Sequence, residues 1–153
     1  MFERMSGLAA KAGMEILRPL LTKTSVKPRG TIVAGTVVGD QHDIGKNIVC
    51  MMLEGAGFKV VDLGTDVSSQ DFINAGKENR ADIIGLSALL STTRANMKSI
   101  IQDIRASELG HNVKVIVGGA PVTPDFADSI GAEGYAPDAG LAVKKVRELM
   151  GMI

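Results

Sequence analysis

Chemistry concentrates in one short stretch, Gly39-Asp40-Gln41-His42-Asp43-Ile44-Gly45-Lys46-Asn47. If Asp40 and His42 lie in extended chain, their side chains leave on the same side, because side-chain direction alternates along a strand. A carboxylate so close to an imidazole can accept the proton of one ring nitrogen. That fixes the tautomer and turns the other nitrogen outward. An imidazole held in this way supports three readings: a metal ligand, a general base oriented by Asp40, or a loop histidine satisfied by its neighbour. The third is the commonest fate of a lone His beside an Asp. Gly45 is placed to open a helix whose positive end would face the same crevice.

Other chemistries find less support. A conventional zinc site takes three or four protein ligands. Besides His42 the chain offers only His111, far along the sequence, and Cys50, inside the predicted first helix. A histidine with so few companions is better suited to complete the coordination of a metal that arrives in a macrocycle. Ser87, Ser91, Thr92 and Thr93 are available as nucleophiles, but no G-x-S-x-G elbow is present. The phosphate-loop pattern also fails, because Gly39 and Gly45 are one residue too far apart and Asn47 follows Lys46.

The frame that positions these residues is of ordinary domain size. The chain has 153 residues, with 17 Lys and Arg against 17 Asp and Glu, and the zero balance argues against a nucleic-acid backbone or an anionic membrane surface as partner. Aromatics make up 3% and Trp is absent, so base-stacking platforms are not expected. A single cysteine excludes an internal disulfide framework, and charges interrupt every apolar run before it reaches membrane-span or signal-peptide length. These features point to a soluble protein of the reducing cytoplasm.

Apolar, β-branched runs at 31–38, 59–63, 82–86 and 113–117, with a weaker one at 133–135, predict strands. Helical spacing fills 45–54, 69–80, 93–107, 124–130 and 138–150. This alternation predicts βαβ units in an α/β fold: a flavodoxin-like (Rossmann-like) five-stranded parallel sheet of order 2-1-3-4-5, covered on both faces. Glycines follow the strands at Gly39, Gly64 and Gly118-Gly119 and enter the third at Gly85, at the edge where such sheets bind ligands. Residues 1–28 differ in kind. Phe2, Met5, Ala9, Ala12 and Ile16 give a short N-terminal helix that Pro19 should end, followed by a linker, so the domain proper is expected over 29–153. The helix must pack on the body or on another chain, which makes a homo-oligomer an expectation.

Asp40-x-His42-x-x-Gly45, followed by Ser87-Ala88-Leu89 and by Gly118-Gly119, resembles the cobalamin-binding signature over roughly residues 30–150. The His42–Asn47 string and the later Ser87–Thr93 segment are similar to those of methyl-transferring corrinoid proteins. These are the small carriers of the methanol, methylamine and methoxy-compound methyltransferase systems, together with the matching module of methionine synthase. The resemblance implies that cobalamin or a related corrinoid binds with its own base off the cobalt. His42 would be the lower axial ligand and Asp40 its hydrogen-bond partner, with protonation of the pair coupled to release of the ligand on reduction of the metal. Gln41, Asp43, Ile44 and Gly45 would lie beneath the corrin ring. Ser87 and Leu89 would line a slot for the displaced nucleotide tail, flanked by Gly118, Gly119 and Ala120. Ser91 and Thr93 match hydroxyl positions near the ring and the His–Asp pair, and Tyr135 and Ala136 would close the slot.

By the same resemblance the chain would carry a methyl group between a substrate-specific methyltransferase and a second corrinoid:acceptor methyltransferase, with a reductive activase possible, and without complete catalytic machinery of its own. In that family a helical bundle covers the upper face of cobalt; residues 1–28 would be its remnant. The alternatives are a small cobalamin-binding subunit of an adenosylcobalamin-dependent mutase, a corrinoid sensor or storage module, and a flavin- or phosphate-binding domain of the same fold. Ordinary roles compete at several positions: Thr93 as a helix N-cap, Ser87 as a strand end, Lys46 and Asn47 as first-turn decoration. Asp62, Asp66 and Asp71 read as turn and capping residues, and His111 as exposed.

Overall fold

In the computed structural model the described residues are 27–152; the expected N-terminal helix, most of its linker and the self-association argued from it lie outside them. Five strands alternate with helices in the order β1 (Thr31–Thr36), α1 (Ile44–Gly55), β2 (Lys59–Asp62), α2 (Ser69–Glu78), β3 (Ile83–Ser87), α3 (Ser91–Arg94), α4 (Asn96–Ala106), β4 (Lys114–Gly118), α5 (Pro124–Ser129), β5 (Gly134–Ala136) and α6 (Ala139–Leu149). All strands pair in parallel in the order β2-β1-β3-β4-β5, as predicted. No helix among the described residues is long and apolar enough to cross a membrane.

Two boundaries differ from the prediction in ways that matter for the site. The first strand stops at Thr36 because the chain leaves the sheet after Val37, which still bridges Val67, and turns so that Asp40 N donates to Val37 O (3.0 Å). The helix predicted over 93–107 is two pieces joined at Ala95, and it begins earlier because Leu90 O already accepts from Thr93 N and Arg94 N.

The sheet is covered on both faces, so its strands are apolar on both sides. One face carries Val33, Ile84, Leu86, Val115 and Val117 against Phe72 of α2 and Met97, Ile100 and Ile104 of α4. The other carries Ile32, Ala34, Ile83 and Ile116 against Cys50 and Leu53 of α1 and Ala142, Val143 and Val146 of α6. On this second face the register sets Thr36, Ser87, Gly118 and Ala136 in one row across the carboxyl ends of four strands. The row below it is Ala34, Gly85, Ile116 and Gly134. Nearly all of these are small, and Gly85, in the middle of the central strand, remains partly exposed. In this strip of small residues, the trough, Gly85, Ser87 and Gly118 are partly exposed and the others are buried.

Of the two helices beside this strip, α6 starts where a side chain satisfies a backbone donor. Asp138 Oδ1 accepts from Leu141 N (2.8 Å) at the start of α6. Replacing Asp138 with Ala removes that acceptor and is expected to cost about 1 kcal/mol, read as a shift in urea midpoint with unchanged slope.

Candidate functional site

The turn after β1 buries Asp40 completely and leaves the His42 side chain 40% exposed. The Asp40 carboxylate gathers every donor within reach. Thr93 Oγ1 donates to Oδ2 at 2.6 Å and Leu89 N at 2.7 Å, with Leu90 N at 3.4 Å. On the other oxygen, His42 N donates to Oδ1 at 3.0 Å and the His42 ring lies against it through Nδ1 at 2.8 Å. Burial by itself would raise the carboxyl pKa. The hydrogen bonds from Thr93, Leu89 and His42 outweigh it and hold Asp40 well below the usual carboxylate range. An ionised carboxylate can only accept, so Nδ1 of His42 is the protonated ring nitrogen and Nε2 carries the lone pair.

The loop that presents this imidazole is held on several sides. Thr36 Oγ1 donates to His42 O (2.8 Å) and Asn96 Nδ2 to Val38 O (2.8 Å). Asp43 precedes α1 without capping it through its side chain, while its carbonyl accepts from Asn47 N. Behind the loop, Lys46 is buried and its Nζ lies 2.6 Å from Asp62 Oδ1 and 2.6 Å from Asn47 Oδ1, tying the first turn of α1 to the end of β2. Val38, Leu89 and Leu90 project from the ends of β1 and β3 as exposed apolar side chains. Gly45 is exposed, and a Cβ there would meet nothing of the chain.

Hydrogen bonds therefore join Asp40, His42, Leu89 and Thr93, and the register joins Ser87, Gly118 and Ala136. Gly119 lies at the end of β4 against the Ala88 carbonyl, and Ala120 is exposed beyond it. Arg94 Nη1 donates to Pro121 O (2.8 Å) while its guanidinium sits 4.5 Å from the Phe126 ring centroid, which fixes this turn to α3. Gln41, Gly45 and Ser91 are exposed, Asp43 and Ile44 partly so. Tyr135 is the position the fold does not bring in. Its neighbours Gly134 and Ala136 lie on the α1 and α6 side of the sheet, whereas its side chain packs with the cluster on the opposite face. Thr93 is no N-cap: it lies within α3, whose cap position is Leu90, and its hydroxyl is spent on Asp40.

Sequence reasoning missed the Lys46–Asp62 pair, Asn96, Arg94, and the part of Asp66 described below. Lys46 and Asp62 are 16 positions apart on different elements, so no local pattern joins them. Gly85 did leave a signal, since a glycine inside a strand marks a close approach or a gap in packing.

Among the described residues no cluster of three or more His, Cys, Asp or Glu side chains could hold a metal. The donor set on offer is one imidazole nitrogen, on the side of the sheet that also exposes the apolar Val38, Leu89 and Leu90. That suits a flat group bringing its own equatorial ligands.

Comparison with known proteins agrees. The family model described as B12 binding domain matches residues 30–144. The chain is 48% identical over 147 residues to dimethylamine corrinoid protein 1 of Methanosarcina acetivorans, covering 95% of this chain and 69% of that one. Among solved structures, the monomethylamine corrinoid protein of Methanosarcina barkeri superposes with a TM-score of 0.77 at 34% identity, over 95% of this chain and 69% of that chain. The methanol:cobalamin methyltransferase complex of the same organism matches with a TM-score of 0.71 at 30% identity, over 83% of this chain and 48% of that chain.

Proposed function

Because this chain belongs to the B12-binding domain family, we propose that it is a corrinoid methyl carrier in which His42 is the lower ligand of cobalt. The observation that carries the assignment is the buried, ionised Asp40 holding Nδ1 of a half-exposed His42 beside the trough. When bound, the corrinoid supplies a cobalt centre able to take up a methyl group from one partner and yield it to another.

The chain's own part is to bind and to set a proton. Asp40 keeps the proton on Nδ1 of His42, so in the neutral ring Nε2 presents its lone pair, and the negative charge behind the ring strengthens that donor. Nε2 is also the atom at which the pair can take up a proton, and in that form the ring no longer ligates. Val38, Leu89 and Leu90 would support the lower face of the ring. Thr36, Ser87, Gly118 and Ala136 would floor the slot for the nucleotide tail, with Gly119 and Ala120 closing its end. Tyr135 would shape that slot only through its backbone. Gln41, Asp43, Ile44, Gly45 and Ser91 complete the surface around His42.

A carrier needs a donor and an acceptor enzyme. The proposed partners are a substrate-specific methyltransferase, a second corrinoid:acceptor methyltransferase and a reductive activase. Similarity to a chain of a methyltransferase complex supports the first. The division of the chain near residue 28, with the preceding segment as part of a cap over the upper face, belongs to the same proposal. It is supported by a family match that begins at residue 30.

Cobalt EPR tests the assignment. Hydroxocobalamin is bound to protein carrying 15N-labelled histidine, reduced to the divalent state, and compared with His42→Ala. The expected result is a histidine-derived nitrogen coupling in the wild type that is absent in His42→Ala, with apo stability changed by no more than about 1 kcal/mol because the side chain is half-exposed. Coupling from the cofactor's own base in the wild type would overturn the assignment.

A further inference from the structure

Asp66 lies outside the signature and is exposed, yet it holds the backbone on which the signature depends. Pairing of β1 with β2 stops at Ala34 and Asp62, and the chain then loops out before Val67 returns to bridge Val37. That loop is already fastened by main-chain bonds on both sides of Asp66, from Thr36 N to Gly64 O (2.9 Å) and from Val67 N to Thr36 O (2.9 Å). Asp66 itself takes a left-handed conformation, φ 54°, which Asp and Asn adopt more readily than other side chains. In that conformation Asp66 N donates to Asp40 O (2.9 Å) and Asp66 Oδ1 accepts from Gly39 N (2.7 Å).

One residue thus grips the Gly39-Asp40 unit at both ends, with the Asp40 Cα between the two bonds. This fixes the direction in which the Asp40 side chain leaves the main chain, and so whether its carboxylate meets Leu89 N, Thr93 Oγ1 and His42 Nδ1 together. Since the loop has its own fastenings, what the Asp66 carboxylate adds is the hold on Gly39 N, at the residue that leads into Asp40. We propose that Asp66 is a positioning residue for His42, acting through Asp40 to hold the imidazole in its Nδ1-protonated, Nε2-presenting state. The proposal deepens the corrinoid reading, and its first test needs no corrinoid.

The chain has two histidines, so ring nitrogens of 15N-histidine-labelled apo protein are few enough to assign, with His42→Ala identifying the second set. Spectra are recorded at about pH 8, where a free imidazole is neutral. Asp66→Asn keeps an acceptor oxygen and the left-handed backbone; Asp66→Gly keeps the backbone at no steric cost and loses the acceptor. The expected result is a wild-type tautomer in Asp66→Asn. In Asp66→Gly the ratio of Nδ1-protonated to Nε2-protonated ring should fall roughly tenfold, the size of one lost hydrogen bond to a charged group. After loading with cobalamin, Asp66→Gly should also lose histidine coupling that Asp66→Asn retains.

A wild-type tautomer ratio in Asp66→Gly overturns the proposal. The tautomer shift without histidine coupling in any loaded form supports the role of Asp66 and overturns the corrinoid-ligand reading instead. Asp66→Ala repeats the comparison should the glycine variant not fold.

Discussion

Gly119→Ala is expected to destabilise the apo protein by about 3 kcal/mol or more, a loss of over a hundredfold in the folding constant. A Cβ at this position would stand 1.8 Å from the Ala88 carbonyl oxygen and 2.9 Å from its carbon, and φ is 125°, where L side chains rarely fit. The obstacle is backbone, so no rotamer change relieves it. The ends of β3 and β4 would have to part, although Ala88 N donates to Gly118 O (3.2 Å) across the same gap. Gly118→Ala is the informative comparison. Its Cβ would lie 3.0 Å from Ala136 O with no positive φ, so a shift of a few tenths of an ångström suffices and a loss nearer 1 kcal/mol is expected. Yet this smaller change points into the trough, so corrinoid affinity should suffer more in Gly118→Ala than its stability does. Urea denaturation of both variants, alongside cobalamin titration, separates the two effects. A loss below about 1 kcal/mol in Gly119→Ala would sink the steric account.

The contrast between these glycines shows how far the sequence could be read. Strand order was legible because hydrophobic period and element length are local properties, and right-handed crossovers then restrict the topology. Every element lies within two residues of its predicted bounds, and the one departure in kind is the division of the helix over 93–107 at Ala95. That Gly118 and Gly119 belong to the site was legible as a motif. That one faces the trough and the other carries the close backbone contact depends on register, which a slip of one residue would exchange. The same limit explains Tyr135, predicted beside Ala136 although alternate residues of a strand face opposite sides. Asp66 and Lys46 were undervalued for another reason. Their partners, Gly39 and Asp40 for the first and Asp62 for the second, lie on other elements. A polar residue in a loop looks the same in sequence whether it caps its own turn or fastens a neighbour.

Asp40→Ala is expected to be as damaging as Gly119→Ala, by a different route. The wild-type carboxylate is fully buried, and its removal strands Leu89 N and His42 N, both currently donating to it, and frees the Thr93 hydroxyl to turn wholly to Leu90 O (3.0 Å). Two part-buried donors left without an acceptor cost about 1–3 kcal/mol each, so a loss of about 3 kcal/mol is expected in urea denaturation near neutral pH. Asp40→Asn separates shape from charge. It keeps the volume and one acceptor oxygen, but its amide nitrogen must face either the Thr93 and Leu89 donors or the His42 ones. The expected result is a smaller loss of stability together with a clear loss of tautomer control at His42, because the remaining oxygen cannot serve both sets. Two readouts then move independently: Asp40→Ala loses stability and histidine coordination together, whereas Asp40→Asn loses mainly coordination. Equal stability of Asp40→Ala and wild type would mean that the carboxylate is dispensable to the loop. Unchanged histidine coupling in loaded Asp40→Asn would mean that the imidazole is aimed by the Thr36 contact to the His42 carbonyl, and not by the charge behind it.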